Sequence, residues 1–223
     1  MRIILVRHGE PNYEKDCLTE LGKKHAKVAA QRLLEEGIDE IYSSPLGRAR
    51  ETAQAFSEAS GIKDIKILDF MKEIRFGKFG ALYESGNPWE VAYKMAQRGI
   101  DLQRVDWRDY PEFRDNAAVV DIDNIFVKAD EWLKELRYER EGSVYRCKRA
   151  DDSEHTVALF SHGGSSTALL SRILNIPFPY LCITLGNILY TAVTSLRFDR
   201  RPGSLTVPMI EIASDSRHIN GVE

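Results

Sequence analysis

At 223 residues the chain has room for one large α/β domain, or a domain with an insertion, but is short for two full domains. Hydrophobic residues at 43% and charged ones at 29% give an ordinary globular balance that supports a real core. The net charge of −3, from 31 basic and 34 acidic residues, excludes a bulk electrostatic drive toward nucleic acid or an anionic membrane. Any anion site must therefore be a local concentration of arginines and backbone dipoles.

The chain opens on an apolar, largely β-branched run, Ile3 to Val6, which reads as a strand buried on both faces, as in a parallel sheet. It stops on Arg7-His8-Gly9, at the strand's carboxyl end, where open α/β sheets bind ligands. A guanidinium recognises phosphate in a bidentate way, and a neutral imidazole is a nucleophile or proton carrier. Gly9 is expected to let the backbone approach the ligand. Taken alone, His8 reads equally as a histidine packed under a loop. Four apolar residues between Arg2 and Arg7 are too few for a signal peptide, and no run approaches the ~18 needed to span a bilayer. Cys17, Cys147 and Cys182 are sparse and form no Cys-x-x-Cys pair, which suits free thiols in a reducing compartment. A cytoplasmic location is the expectation, with no metal-ligand spacing visible.

After a polar loop, Pro11 to Asp16, Thr19 is a fair N-cap for a helix running to Gly37. His25 on that helix reads as a surface or boundary residue. Ile38 to Ser44 is a second strand, followed by a helix that carries Arg48 in its first turn, and Ile65 to Leu68 is a third strand. This rhythm predicts a three-layer α/β sandwich with a mostly parallel central sheet flanked by helices. Residues 71–82 lack a sustained period and read as a structured loop holding Glu73. Residues from about 83 to 120 interleave aromatics with Arg98, Arg104, Arg108 and Arg114, which predicts a small helical cap with its own aromatic mini-core. Asp123 to Leu136 is amphipathic. Arg137 to Glu154 is charged, with Ser143 to Lys148 as an exposed hairpin edge. Thr156 to Phe160 is a fourth buried strand ending on Ser161-His162-Gly163-Gly164, and a helix runs from Thr167 to Leu174, with Pro177 and Pro179 closing the segment. Ile188 to Leu196 and Leu205 to Ile212 are the last predicted strands.

Two strands thus end alike, on Arg7-His8-Gly9 and on Ser161-His162-Gly163-Gly164. If they are neighbours, both imidazoles reach one pocket. Arg48 arrives from a helix start, and the Gly163-Gly164 turn offers backbone N–H groups to an anion.

On these residues the chain resembles the histidine phosphatase superfamily, in its phosphoglycerate mutase-like branch. The likeness runs through Val6-Arg7-His8-Gly9-Glu10, Leu18-Thr19-Glu20-Leu21-Gly22, Ser43-Ser44-Pro45-Leu46-Gly47-Arg48-Ala49, Glu73-Ile74-Arg75-Phe76-Gly77 and Ser161-His162-Gly163-Gly164. The resemblance implies one domain over 1–223 with the cap at about 83–120. It implies His8 as the nucleophile that forms a phosphohistidine, and Arg7, Arg48, His162 and the Gly163 N–H as holders of the phosphoryl oxygens. It implies Glu73 as acid and then base, its pKa raised beside Phe76 and Phe79. A solvated loop carboxylate and a bare helix-surface arginine are the plainer readings of Glu73 and Arg48. No cofactor or metal is implied, because arginine and imidazole supply the positive charge. The implied ligand is a small phosphorylated substrate. A homodimer is left open.

The chain departs from the pattern where many relatives carry an Asn six residues after the nucleophile. Glu14 stands there, and Asn12 either replaces that phosphate contact or the contact is missing. The leading reading is a metal-independent phosphomonoesterase (a hydrolase). A mutase on the same scaffold and a non-catalytic phospho-ligand-binding protein are the rivals. A serine hydrolase is disfavoured, because Ser165 lacks the flanking Gly-x-Ser-x-Gly.

Overall fold

A computed structural model of the chain describes residues 1–78, 81–82 and 86–222. Phe79, singled out above beside Glu73, and residue 83, where the cap is expected to begin, lie outside the described residues. The elements run β1 (Arg2–Arg7), β2 (Pro11–Asn12), β3 (Cys17–Leu18), α1 (Glu20–Leu33), β4 (Glu40–Ser43), α2 (Gly47–Ser60) and β5 (Ile65–Ile67). They continue with β6 (Gly77–Lys78), β7 (Ala81–Leu82), α3 (Pro88–Gln97), α4 (Pro111–Arg114), α5 (Ala117–Glu135), β8 (Tyr138–Glu141) and β9 (Val144–Cys147). The last are β10 (Thr156–Ser161), α6 (Gly163–Leu174), α7 (Phe178–Leu185), β11 (Val193–Arg197), β12 (Leu205–Thr206) and β13 (Met209–Asp215).

Successive side chains on a strand point to opposite faces, and this alternation builds the layers. Ile3, Leu5, Val157 and Leu159 enter a core with α5 and α6, while Ile4, Val6, Ala158 and Phe160 enter a second core with Ala30, Leu33, Ala53 and Phe56 of α1 and α2. All eight strand residues are at most 2% exposed, so β1 and β10 are buried on both faces, as their unbroken apolar runs predict. The main sheet has the order β13-β11-β1-β10-β4-β5. Its β1, β10, β4 and β5 are parallel; at one edge β11 alone is reversed, pairing antiparallel with both β1 and β13. Thr19 caps α1 by accepting from the Gly22 N–H at 3.0 Å, and Gly37 follows the last turn at a left-handed φ of 62°.

Several expectations are corrected. The Arg137–Glu154 hairpin is not an exposed edge: Tyr138, Tyr145 and Cys147 are fully buried, and both tyrosine rings pack on Phe198, at 5.0 and 5.8 Å. Glu139, Glu141 and Arg146 lie on the other face of the period-two strands, while Arg140, on the tyrosine face, is paired with Asp130 and donates to the Tyr145 hydroxyl. Leu205–Ile212 is not one strand, because the chain breaks around Val207-Pro208. There β12 pairs with β9 and β13 with β11, consistent with a proline that has no N–H for a ladder. Pro177 and Pro179 do not close the segment but begin α7, where a missing N–H does no harm. The aromatics of 88–114 form no separate core. Trp107 packs on Phe113 at 5.1 Å and on Phe178 at 5.7 Å, inside the same cluster as Leu5 and Leu159. His25 is buried, not superficial, at 6% exposure. Among the described residues no single helix is long and apolar enough to cross a membrane.

Candidate active site

The parallel register of β1 and β10 pairs Arg7 with Ser161, so the residues that follow each strand emerge side by side. The His8 N–H donates to the Ser161 carbonyl at 2.9 Å, and the His8 and His162 ring centroids lie 5.1 Å apart, tilted by 59°. At 1% and 0% exposure both rings are buried, but among guanidinium and hydroxyl groups, not hydrocarbon.

His8 Nδ1 lies 2.7 Å from the Gly9 carbonyl. A carbonyl only accepts, so Nδ1 carries the proton and the Nε2 lone pair is free. Burial holds the His8 pKa down at about 3, against the pull of the Gly9 carbonyl, and Arg7 and Arg48 add to the depression. The ring is therefore neutral across the physiological range. His162 Nε2 lies 2.7 Å from Ser44 Oγ, which also accepts from the Leu46 N–H at 3.3 Å. His162 Nδ1 is buried with no partner. Burial, then His8, Arg48 and Arg7, lower the His162 pKa well below its ordinary value.

The two arginines are each held by one edge. Arg7 donates from Nη1 to the Ile188 carbonyl, and Arg48 donates from Nη1 to Asp16, while Nε of both is buried and unpartnered. Asp16 also accepts from the Gly47 N–H at 2.7 Å, so a loop residue at φ 48° both starts α2 and aims its first arginine. Sequence reading missed Asp16 and Ser44; the only signal was a short polar side chain at each loop end. Unpaired buried N–H groups are rare in folded proteins. Here Arg7 Nε, Arg48 Nε and His162 Nδ1 stand around one pair of imidazoles.

The Gly9 reading is corrected. A Cβ there would sit 2.4 Å from the Gly22 carbonyl oxygen, so the close approach is to the start of α1, not to a ligand. The helix-start reading is corrected in part. The carboxylate of Glu73 accepts from the N–H groups of Gly164 (3.2 Å), Ser165 (2.9 Å) and Ile74 (3.0 Å), so an internal anion already sits at the α6 N-terminus. Gly163 is outside that set, and a Cβ on it would meet only Arg7 Nε, at 3.9 Å. A Cβ on Gly164 would stand 2.6 Å from Glu73 Oε1, so this glycine admits the carboxylate. Burial pushes the Glu73 pKa up, opposed by the three backbone N–H groups and by Arg7.

Asn12 and the cap arginines have partners of their own. Asn12 Oδ1 accepts from the Lys15 N–H at 3.1 Å and shapes the β2–β3 turn. The cap arginines face acids: Arg98 with Glu112, Arg104 with Asp101, Arg108 with Asp123. Arg104 and Arg108 line a cavity of about 480 Å³ that includes none of the histidine cluster. Among the described residues no group of three or more His, Cys, Asp or Glu is placed to hold a metal ion.

Two imidazoles, two guanidiniums and a helix-start carboxylate thus stand together at the carboxyl edge of a mostly parallel sheet in an α/β sandwich. The chain belongs to the histidine phosphatase superfamily, branch 1, whose family model matches residues 3–208. It is 33% identical over 147 residues to phosphoserine phosphatase 1 of Hydrogenobacter thermophilus, a match covering 61% of this chain and 64% of that protein. It is 23% identical over 230 residues to a "Probable phosphoglycerate mutase GpmB" of Enterobacter sp., covering 99% and 95%. The fold is similar to the Entamoeba histolytica phosphoserine phosphatase solved with 3-phosphoglyceric acid (TM-score 0.64, 23% identity, 98% of each chain). It is likewise similar to a mycobacterial glucosyl-3-phosphoglycerate phosphatase (TM-score 0.65, 22% identity, 96% and 98% covered).

Proposed function

We propose that this chain hydrolyses a small phosphomonoester through a phosphohistidine at His8. The observation that carries this is the convergence of Arg7 Nε, Arg48 Nε and His162 Nδ1, buried and unpartnered, beside a neutral His8. Two buried guanidinium N–H donors without acceptors, beside an unpartnered imidazole nitrogen, call for an anion, and a phosphoryl group supplies the oxygens.

In the first step His8 Nε2 forms a bond to phosphorus as the bond to the leaving oxygen breaks. The protonated Glu73 carboxyl gives its proton to that oxygen. In the second step the Glu73 carboxylate takes a proton from water, the water oxygen bonds to phosphorus, and the phosphorus–nitrogen bond breaks. Phosphate and neutral His8 are regenerated. Arg7, Arg48, His162 and the Gly163 N–H hold the equatorial oxygens in both steps, which neutralises charge as it spreads. A carboxyl with a raised pKa suits both halves, since it must be protonated in one and ionised in the other. Asn12 Oδ1 serves the hairpin turn, which leaves its Nδ2 as the atom that would reach a phosphoryl oxygen.

A phosphorylated-metabolite panel, read as released phosphate, is expected to give turnover with at least one small phosphomonoester. Phosphate release from none, with isomerisation of phosphoglycerate, would instead favour the mutase reading that the Enterobacter relative's name suggests. Binding of phosphate with neither activity would favour a phospho-ligand-binding protein.

A further inference from the structure

The segment Ile188–Ala192 wraps the end of β1. The Arg7 N–H donates to the Ala192 carbonyl at 3.2 Å, the Thr191 N–H donates to the His8 carbonyl at 3.2 Å, and Ile188 accepts from the Arg7 side chain. Between these contacts the Tyr190 ring lies 4.7 Å from the Arg7 guanidinium carbon and 6.0 Å from the His8 ring. The buried His25 stacks on the same tyrosine at 6.2 Å.

The next residue is held in an uncommon state. Thr191 has a φ of 51°, a left-handed conformation that a β-branched side chain strongly disfavours, and it is fully buried. Its Oγ1 donates to the Tyr190 carbonyl at 2.8 Å and lies 3.0 Å from His218 Nε2. His218 comes from the last helical turn, Arg217–Ile219, and its Nδ1 lies 3.0 Å from Arg32 Nη1. A guanidinium only donates, so Nδ1 accepts and Nε2 carries the proton. The donors therefore run in one direction: Arg32 to His218, His218 to Thr191, Thr191 to the Tyr190 backbone. Arg32 is in turn fixed by Asp215, at 2.9 Å.

We propose that Tyr190 is a positioning residue for Arg7 and His8, and that His218 latches it through Thr191, so that the chain's last turn sets phosphate affinity without touching the ligand. This rests on the reading of Arg7 as a phosphate holder. The ring and the Ile188 carbonyl fix the guanidinium, and Nε is left for the phosphoryl oxygen. Without the latch, Thr191 is free to leave the left-handed region, which carries Tyr190 off the guanidinium.

The test is calorimetric binding of inorganic phosphate, run beside kcat on an aryl phosphate and thermal melting. Tyr190→Leu is expected to weaken phosphate binding about tenfold, the scale of one desolvated cation–π contact, and Tyr190→Phe to retain most of the affinity. His218→Ala is expected to shift binding in the same direction, and His218→Gln, which keeps a donor for Thr191, to recover part of it. The Tyr190→Leu and His218→Ala changes are expected to be non-additive, because both act through Arg7. Arg201→Ala, a surface change at the Asp199 pair, is the control. Unchanged phosphate binding in His218→Ala with a lowered melting temperature would overturn the latch, as would strict additivity. Should Tyr190→Leu fail to fold, the His218→Ala and His218→Gln pair decides the matter. Wild-type protein that binds phosphate with these shifts but hydrolyses nothing would sink the phosphatase reading and leave this one standing.

Discussion

Two regions of this molecule present arginines in opposite settings, and the contrast lies in what neutralises each cation. At the edge of the sheet Arg48 is 9% exposed at its side chain, is aimed by Asp16, and keeps a buried Nε without an acceptor. In the helical segment 88–114 Arg104 is 89% exposed and Arg98 58%, and each faces an acid in water. The same residue type thus does different work according to what already neutralises it and how much solvent screens it. Buried unmet arginine donors clustered beside two imidazoles support the proposed site, whereas exposure with a local acid marks a solvated surface.

The largest way to sharpen that contrast is at Glu73. Glu73→Gln should lower kcat by about 10²–10⁴-fold on alkyl phosphates, whose leaving oxygen needs a proton, and far less on aryl phosphates. Equal losses on both would remove Glu73 from the acid's role. Arg48→Ala should lower kcat/KM by roughly 10²–10³-fold, the usual size of a lost transition-state donor. A loss below tenfold would show that its unpartnered Nε meets no substrate.

The pH profile is the next test. Activity needs neutral His8 and, for leaving-group departure, protonated Glu73. With His8 held at about 3 and Glu73 raised, kcat/KM should rise from an acid limb near 3 and fall on an alkaline limb above the ordinary carboxylate range. Glu73→Gln should abolish the alkaline limb. Stability follows buried imidazoles in the same way: His8 at about 3 and His218 at about 4 have folded pKa values below the ordinary imidazole value of 6.5. Below 6.5 the unfolded chain therefore binds more protons than the native one. The stability is fully present above that pH and is lost as pH falls toward the folded values. A melting temperature that does not drop between pH 6.5 and 4 would contradict this sign. The smallest effect is expected in the other region, where Arg104→Ala and Arg108→Ala should change kcat/KM by no more than about twofold, as exposed ion pairs generally do. A large loss there would reopen the cap as a substrate-binding element.

How much of this was legible in the sequence divides along the same line. The sheet was readable because Ile3–Val6 and Thr156–Phe160 are buried on both faces and leave no polar period to confuse them, and both site histidines follow such runs. The hairpin at Tyr138–Cys147 was hidden because its exposed face is charged, although its buried face alternates correctly. The supports of the site were not legible at all. Ser44 and His162 are 118 positions apart and Thr191 and His218 are 27 apart, so no local pattern links them. Asp16 looked like any acid in a polar loop, because the helix it caps begins thirty-one positions later. The cap arginines show the same limit: composition shows a cation but not the acid that faces it.

The central claim is that the His8 imidazole takes the phosphoryl group between the two arginines and His162. Rapid quenching at alkaline pH during turnover of an aryl phosphate, followed by peptide mapping, tests it directly. The account predicts an acid-labile phosphoryl group on His8 that is absent from His8→Ala, together with hydrolysis reduced by roughly 10³-fold or more in that variant. An unmodified His8 during turnover, or a His8→Ala protein keeping more than about a tenth of wild-type activity, would contradict it.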